Sequence, residues 1–204
     1  MKITEESLRH LLGNTDMYLI DLLQKGYFSV PRNILDVGCG AGRNIWMLSS
    51  LGHQITAIDV HVEAISILET EISHHGIQNV ATRVGELGHL GKGTEEFDFV
   101  ICNAVLHFAN SMDHFRNLFL DLVSLLEPGG IGFCRFVSSH TFNPEIGPFN
   151  TVVEVPDGSS LFVVDMNWFK ESFIASGIIE LVEPLKTVNV ADVRTMTTLV
   201  FTTK

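Results

Sequence analysis

The 204-residue chain is 46% hydrophobic and 18% charged, which excludes the high-charge, low-hydrophobicity composition of disordered chains and predicts one domain, 1–204, with a full core. Its formal net charge of −11 disfavours the phosphates of nucleic acid and an anionic membrane surface, so no nucleic acid and no membrane are expected as partners. No apolar stretch approaches the ~18 residues of a spanning helix, and "MKITEESLRH" lacks the apolar centre of a signal peptide, which predicts a cytoplasmic location. Cys39, Cys102 and Cys134 are odd in number and have no short paired spacing, so they read as reduced packing residues.

Two helical pieces are expected over residues 1–32. In the second, "NTDMYLIDLLQKG", Asn14 or Thr15 is placed as N-cap, Met17, Ile20 and Leu23 recur at helical spacing, and Gly26 stands where a left-handed C-cap belongs. From residue 33 short strands alternate with helices: "NILDVG" and a helix over 43–51, "QITAID" and a helix over 62–75 closed by Gly76, then "VATRV", "FDFVICN", a helix over about 113–126, and "GIGFCRFV". This rhythm predicts an α/β fold with a parallel sheet covered by helices on both faces. Residues 138–165 interrupt it with three prolines and read as an excursion near the second-substrate side of the molecule. A helix "MNWFKESFIAS" stopped by Gly177 follows, and then two strands, "IELVEPLKTVNV" and "TMTTLVFTT", able to pair as a hairpin.

The stretch "ILDVGCGAGRN" ends a strand in an acid and three glycines. In an open parallel sheet the ligand lies beyond the carboxyl ends of the strands, so this first turn faces it. A dinucleotide fingerprint needs its third glycine at position 43, where Arg43 stands. Asp36, two residues before Gly38, would repel a pyrophosphate and attract an ammonium or sulfonium group. The second strand ends in Asp59, an acid suited to accept hydrogen bonds from both hydroxyls of a ribose. Together the acids describe a nucleoside with a cationic tail.

At these residues the chain resembles the class I S-adenosylmethionine-dependent methyltransferases. "ILDVGCGAG" is similar to their first motif, "ITAIDV" to the second, "RVGELGHL" to the loop after the third strand, "FDFVICNAVLHF" to the fourth motif and "LLEPGGIGFCRF" to the turn into the fifth strand. "GRN" and "TDMYLIDLL" look most like the small tellurite-resistance-type and other small-molecule methyltransferases. The resemblance implies a Rossmann-like, doubly wound, mostly parallel seven-stranded sheet with an antiparallel C-terminal strand. It implies S-adenosyl-L-methionine as cofactor, S-adenosyl-L-homocysteine as product and a small-molecule methyl acceptor. It also implies that Asp36, Gly38, Cys39 and Gly40 surround the methionine end, Asp59 holds the ribose, and Val60 lies along the adenine. Glu86, with Leu87 nearby, would accept from the exocyclic amine, and the Asn103 backbone would face the methionine ammonium. The family more often has Asp at the position of Glu86.

His107 follows the fourth strand where the transferred methyl would emerge. It reads either as a general base orienting the acceptor or as a ring packed beside the cofactor. Asp16 and Tyr18 either cap the cofactor pocket or serve helix packing. Phe142, Phe149, Phe162 and Trp168 either line an acceptor pocket or anchor the excursion. The other histidines include no His-x-x-x-His pair, and the neighbours His74 and His75 point apart on a helix, so no metal is expected. A non-catalytic nucleoside-binding or regulatory module shares these motifs; an NAD-dependent oxidoreductase shares the architecture but lacks a use for Asp36. Oligomeric state is not legible.

Overall fold

The computed structural model describes residues 4–90, 96–139, 149–154, 158–190 and 194–203. The chain divides into two compact units, Met1–His89 and Leu90–Lys204.

The first unit opens with α1 (Glu5–Leu12), exposed up to His10 with Leu11 and Leu12 half-buried, and started by a reciprocal Thr4–Ser7 capping pair. In α2 (Met17–Gln24) the N-cap is Asp16, whose carboxylate accepts from the Tyr18 N–H, and not Asn14 or Thr15 as the sequence suggests. An Asp carboxylate one residue before the helix reaches the orphan N–H with better electrostatics than a hydroxyl, and Thr15 is buried with no partner for Oγ1 among the described residues. Next come β1 (Asn33–Val37), α3 (Ile45–Ser50), β2 (Gln54–Asp59), α4 (Val62–His75) and β3 (Val80–Val84). β2 lies between β1 and β3, parallel to both, in the register Asp36↔Ala57 and Asp59↔Val84. Ile34, Leu35, Ala57 and Ile58 are buried, as expected for strands packed on both faces. α4 turns Ile65 and Leu68 inward and ends at Gly76, which is left-handed at φ +63°.

The second unit contains β4 (Phe97–Asn103), α5 (Met112–Ser124), β5 (Leu126–Val137), β6 (Thr151–Glu154), β7 (Ser160–Val163), α6 (Met166–Phe169, continued by a wide π turn over Lys170–Ala175), β8 (Glu180–Leu181), β9 (Lys186–Val190) and β10 (Arg194–Thr202). β5 runs parallel to β4 and antiparallel to β10, so the chain is a mixed α/β protein with parallel strands first and antiparallel strands at its C-terminal end. The expected single strand over "IELVEPLKTVNV" is two short ones, both paired to β10. Pro184 lies in the break between them, and proline supplies no N–H to a ladder. The excursion contains a feature its sequence did not announce, the β6–β7 hairpin; Phe142 lies outside the described residues.

α5 buries Phe115, Phe119 and Leu122 along one stripe. Phe119 packs at 4.6 Å from Phe173 and 5.1 Å from Phe169, and also meets Phe201 of β10. Phe162 stacks on Phe115 at 5.6 Å and Trp168 meets Phe115 edge-on. Phe162, fully buried, therefore anchors the excursion in the core, while Trp168 is half-buried. A second apolar cluster, Val137, Leu161, Val163 and Met196 with Phe149 packed against it, ties the hairpin to β5 and β10. Cys102 and Cys134 are buried cross-strand neighbours with free thiols.

Candidate active site

In the first unit the bend after β1 is held by its own chain. The N–H groups of Gly38 and Cys39 both donate to the Ile58 carbonyl, at 2.8 and 3.1 Å. The Gly40 N–H donates to Asp59 Oδ2 at 2.8 Å. These are the first donors a phosphate-cradling loop would present, and here they are already engaged. Gly38 and Gly40 adopt φ +65° and +55°, where side chains are strained. A Cβ on Gly40 would meet nothing within 4 Å, whereas one on Gly42 would strike Leu68 at 2.6 Å. Gly42 is thus required for close packing of the bend on α4, and the surface at Gly40 is open.

Asp36 is 2% exposed, and its Oδ2 has no hydrogen-bond partner among the described residues. Burial, opposed by Arg43 and reinforced by the neighbouring charge of Asp59, raises its carboxyl to about 7. A buried acceptor atom left open in this way costs free energy unless something cationic or hydrogen-bonding completes it. Cys39 is buried, and burial with the fields of Asp36 and Asp59 pushes its thiol up, so it stays protonated.

Asp59 behaves oppositely. Burial would raise it, but the backbone N–H groups of His61 and Gly40 and the His61 ring hold it below the usual carboxylate range. His61 contributes two contacts to Oδ1, from its N–H and from Nδ1, each at 2.9 Å. The carboxylate is thereby fixed and ionised beside the glycine bend. The Gly85 N–H donates to the Asp59 carbonyl at 2.9 Å, which brings the loop carrying Glu86 and Leu87 to the same strand ends. Glu86 and Val60 are exposed and Leu87 is buried. Asp36, Cys39, Gly40 and Asp59 are therefore one group, with Glu86 and Leu87 next to it along the chain.

Asp16 is also joined to the bend. Its N–H donates to Asn44 Oδ1 at 3.1 Å, and its Oδ2 lies 3.6 Å from the Arg43 guanidinium. The "GRN" triplet thus fastens the start of α2 and tunes Asp36 through Arg43. Sequence reading singled out these residues without pairing them, because nothing local links positions 16 and 43.

In the second unit Asn103 ends β4 and is buried. Ala104 follows at φ +65°, a conformation rare for a residue with a Cβ and often retained at functional turns. Its N–H donates to the Arg135 carbonyl at 2.9 Å. His107 is 6% exposed in the short turn Leu106–Phe108, with no partner for Nδ1 among the described residues. Burial and then the charge of Arg194 lower its pKa to about 4, so the ring is neutral at neutral pH. The link between Arg194 and His107 has no signal in the sequence, because 87 residues separate them. No cluster of three or more metal-ligating side chains occurs among the described residues, and no helix among them is long and apolar enough to cross a membrane.

Residues 34–130 match the family model of a methyltransferase domain. The chain is 33% identical over 101 residues to the arsenite methyltransferase of Halobacterium salinarum, covering 48% of this chain and 25% of that protein. It is 29% identical over 97 residues to a probable S-adenosyl-L-methionine-dependent methyltransferase TehB of Haemophilus influenzae, covering 48% of this chain and 33% of that one. The chain thus spans a quarter and a third of the length of these two relatives. Among solved structures, the magnesium protoporphyrin IX methyltransferase (ChlM) of Synechocystis PCC 6803 with bound SAH is similar in fold. It has a TM-score of 0.72 at 14% identity, over 100% of this chain and 90% of that one. The fold is that of the Rossmann-like methyltransferases.

Proposed function

We propose, from the match of residues 34–130 to the model of a methyltransferase domain, that the protein transfers a methyl group from S-adenosyl-L-methionine to a small-molecule acceptor. The observation that carries this reading is Asp36, a buried carboxylate with an open oxygen beside a bend whose first N–H groups are engaged within the protein. Such a site suits a cationic group and disfavours a diphosphate, which weighs against a nicotinamide dinucleotide. When bound, the sulfonium supplies an electrophilic methyl carbon: the acceptor's lone pair forms the new bond while the carbon–sulfur pair stays on sulfur, leaving a neutral thioether.

This chain's own residues would bind and orient. Asp36 would complement the positive charge of the methionine end, with Gly38, Cys39 and Gly40 as its floor. Asp59, ionised and held by Gly40 and His61, would accept the ribose hydroxyls. Val60, Leu87 and Glu86 would border the adenine. His107, neutral and with an open ring nitrogen, would accept a hydrogen bond from the acceptor; its lowered basicity makes orientation a better use of it than proton abstraction from an alcohol or ammonium. Positioning and desolvation then supply much of the acceleration. We read the chain as one domain acting in the cytoplasm, with the described residues 149–154 and 158–165 on the acceptor side. Titration calorimetry with S-adenosylmethionine, S-adenosylhomocysteine and NAD tests the proposal. Micromolar binding of the first two is expected, and preferential binding of NAD would overturn it.

A further inference from the structure

The Asp59 carboxylate is more fully engaged within its own chain than an acid reserved for two ribose hydroxyls needs to be. Oδ1 accepts from the His61 N–H and meets His61 Nδ1, each at 2.9 Å, and Oδ2 accepts from the Gly40 N–H at 2.8 Å. An ionised carboxylate only accepts, so the His61 ring carries its contacting proton on Nδ1. Each carboxylate oxygen offers about two lone-pair sites. Among the described residues Oδ1 is therefore filled, and Oδ2 keeps one site open. The donors differ in how firmly they are held. Two are backbone N–H groups, one in the glycine bend and one at the start of α4. The third is a side chain 75% exposed, with no other hydrogen bond, ion pair or ring contact among the described residues.

We propose that the His61 ring stands in the place of the second ribose hydroxyl and is displaced from Asp59 Oδ1 when the nucleoside binds, so that His61 sets how strongly the site distinguishes a ribose from a deoxyribose. A ribose presents two neighbouring hydroxyls. One reaches the open site on Oδ2 with nothing displaced, whereas the other needs Oδ1 and must first turn the ring into water. An exposed contact of this kind is weak, so the ribose displaces it, but the gain from the second hydroxyl is reduced by what the contact contributed. A 2′-deoxy or 3′-deoxy nucleoside has one hydroxyl, uses Oδ2 and leaves the ring in place. The backbone contacts of Gly40 and His61 persist in both states, and only the side chain moves. His61 acts through Asp59 and is a positioning residue. The inference rests on the methyltransferase reading for placing a ribose at Asp59.

The probes are S-adenosylhomocysteine and its 2′-deoxy and 3′-deoxy forms, with calorimetry for affinity and nitrogen-labelled histidine for the ring, at about pH 8. The ring signals of His61, identified by their absence in His61→Phe, should lose the Nδ1 hydrogen bond on saturation with S-adenosylhomocysteine and keep it with either deoxy form. His61→Ala removes the competing donor and leaves the backbone N–H on Oδ1. It should tighten S-adenosylhomocysteine about two- to fivefold and change either deoxy form by less than about 1.5-fold. His61→Phe, which restores an aromatic ring without a donor, should match His61→Ala. Tightening that is equal for all three ligands, or that His61→Phe does not reproduce, overturns the proposal. Tight S-adenosylhomocysteine with unmoved His61 ring signals sinks this inference alone, and failure of the unaltered protein to bind S-adenosylhomocysteine sinks the methyltransferase reading and this inference with it.

Discussion

Lowering the pH from 7 to 5 should weaken S-adenosylmethionine binding about fiftyfold if Asp36 must be ionised to receive it. The magnitude follows from a carboxyl held at about 7 by burial. The ionised fraction is about one half at pH 7 and about one hundredth at pH 5, a ratio of about 50, or ~2.3 kcal/mol. Over this range the ligand's own α-amino group, near 7.7–8.0 in model compounds, stays protonated and adds little. The same linkage makes binding release a proton, about half of one at pH 7 and nearly a whole one at pH 5. Calorimetry in buffers of different ionisation enthalpy measures both the slope and the release. Asp36→Asn should flatten the slope, abolish most of the release and weaken binding at pH 7. Affinity independent of pH, with no proton released, would refute the assignment of Asp36 to the cationic end.

The sign for stability is the reverse. The folded-state value of about 7 lies above the ordinary carboxyl value of 3.8, so the native state holds a proton that the unfolded chain loses between about pH 4 and 7, and stability contributed by protonated Asp36 disappears as pH rises through that window. Asp36→Asn should accordingly raise the melting temperature of the ligand-free protein at pH 8 while impairing its binding. That pairing is the usual stability cost of a working site.

Arg43→Gln should move the binding midpoint above 7, since Arg43 lowers Asp36, and should loosen α2 by removing its contact with Asp16; hydrogen exchange over residues 16–24 reports the second effect. Asp59→Ala should weaken S-adenosylmethionine about ten- to a hundredfold through lost charged hydrogen bonds, and a 2′-deoxyribose analogue should lose less in the variant than in the parent. His107→Gln should lower kcat more than it alters cofactor Kd, checked by steady-state kinetics beside calorimetry; an unchanged kcat removes His107 from the reaction. Phe119→Ala, at the centre of the ring cluster, should cost about 3–5 kcal/mol in urea unfolding.

The first unit was legible because its signals are local. The helix 62–75 carries its own stop in Gly76, and "QITAID" and "VATRV" are short apolar runs bounded by turn residues. Asp36 and Asp59 were found as acids at strand ends, and the structure ties Asp59 to the glycine bend that follows Asp36 through the Gly40 N–H. What escaped depends on distant partners. The N-cap of α2 lies at Asp16 because Asn44 and Arg43 draw that residue inward. The β6–β7 hairpin forms where its apolar face can cover Val137 and Met196. The last helix ends in a π turn amid crowded phenylalanine rings, which no spacing rule forecasts. The charge of Arg194 reaches His107 only through tertiary folding.

With Gly38, Cys39 and Gly40 tethered to Ile58 and Asp59, the reversal after the first strand has no alternative shape to abandon when a ligand arrives. Little ordering entropy is then lost at the encounter. Recognition on that side should consequently resemble insertion into a rigid socket, with tight association from few contacts and backbone amide signals at 38–40 that stay sharp and nearly unmoved between the free and loaded protein.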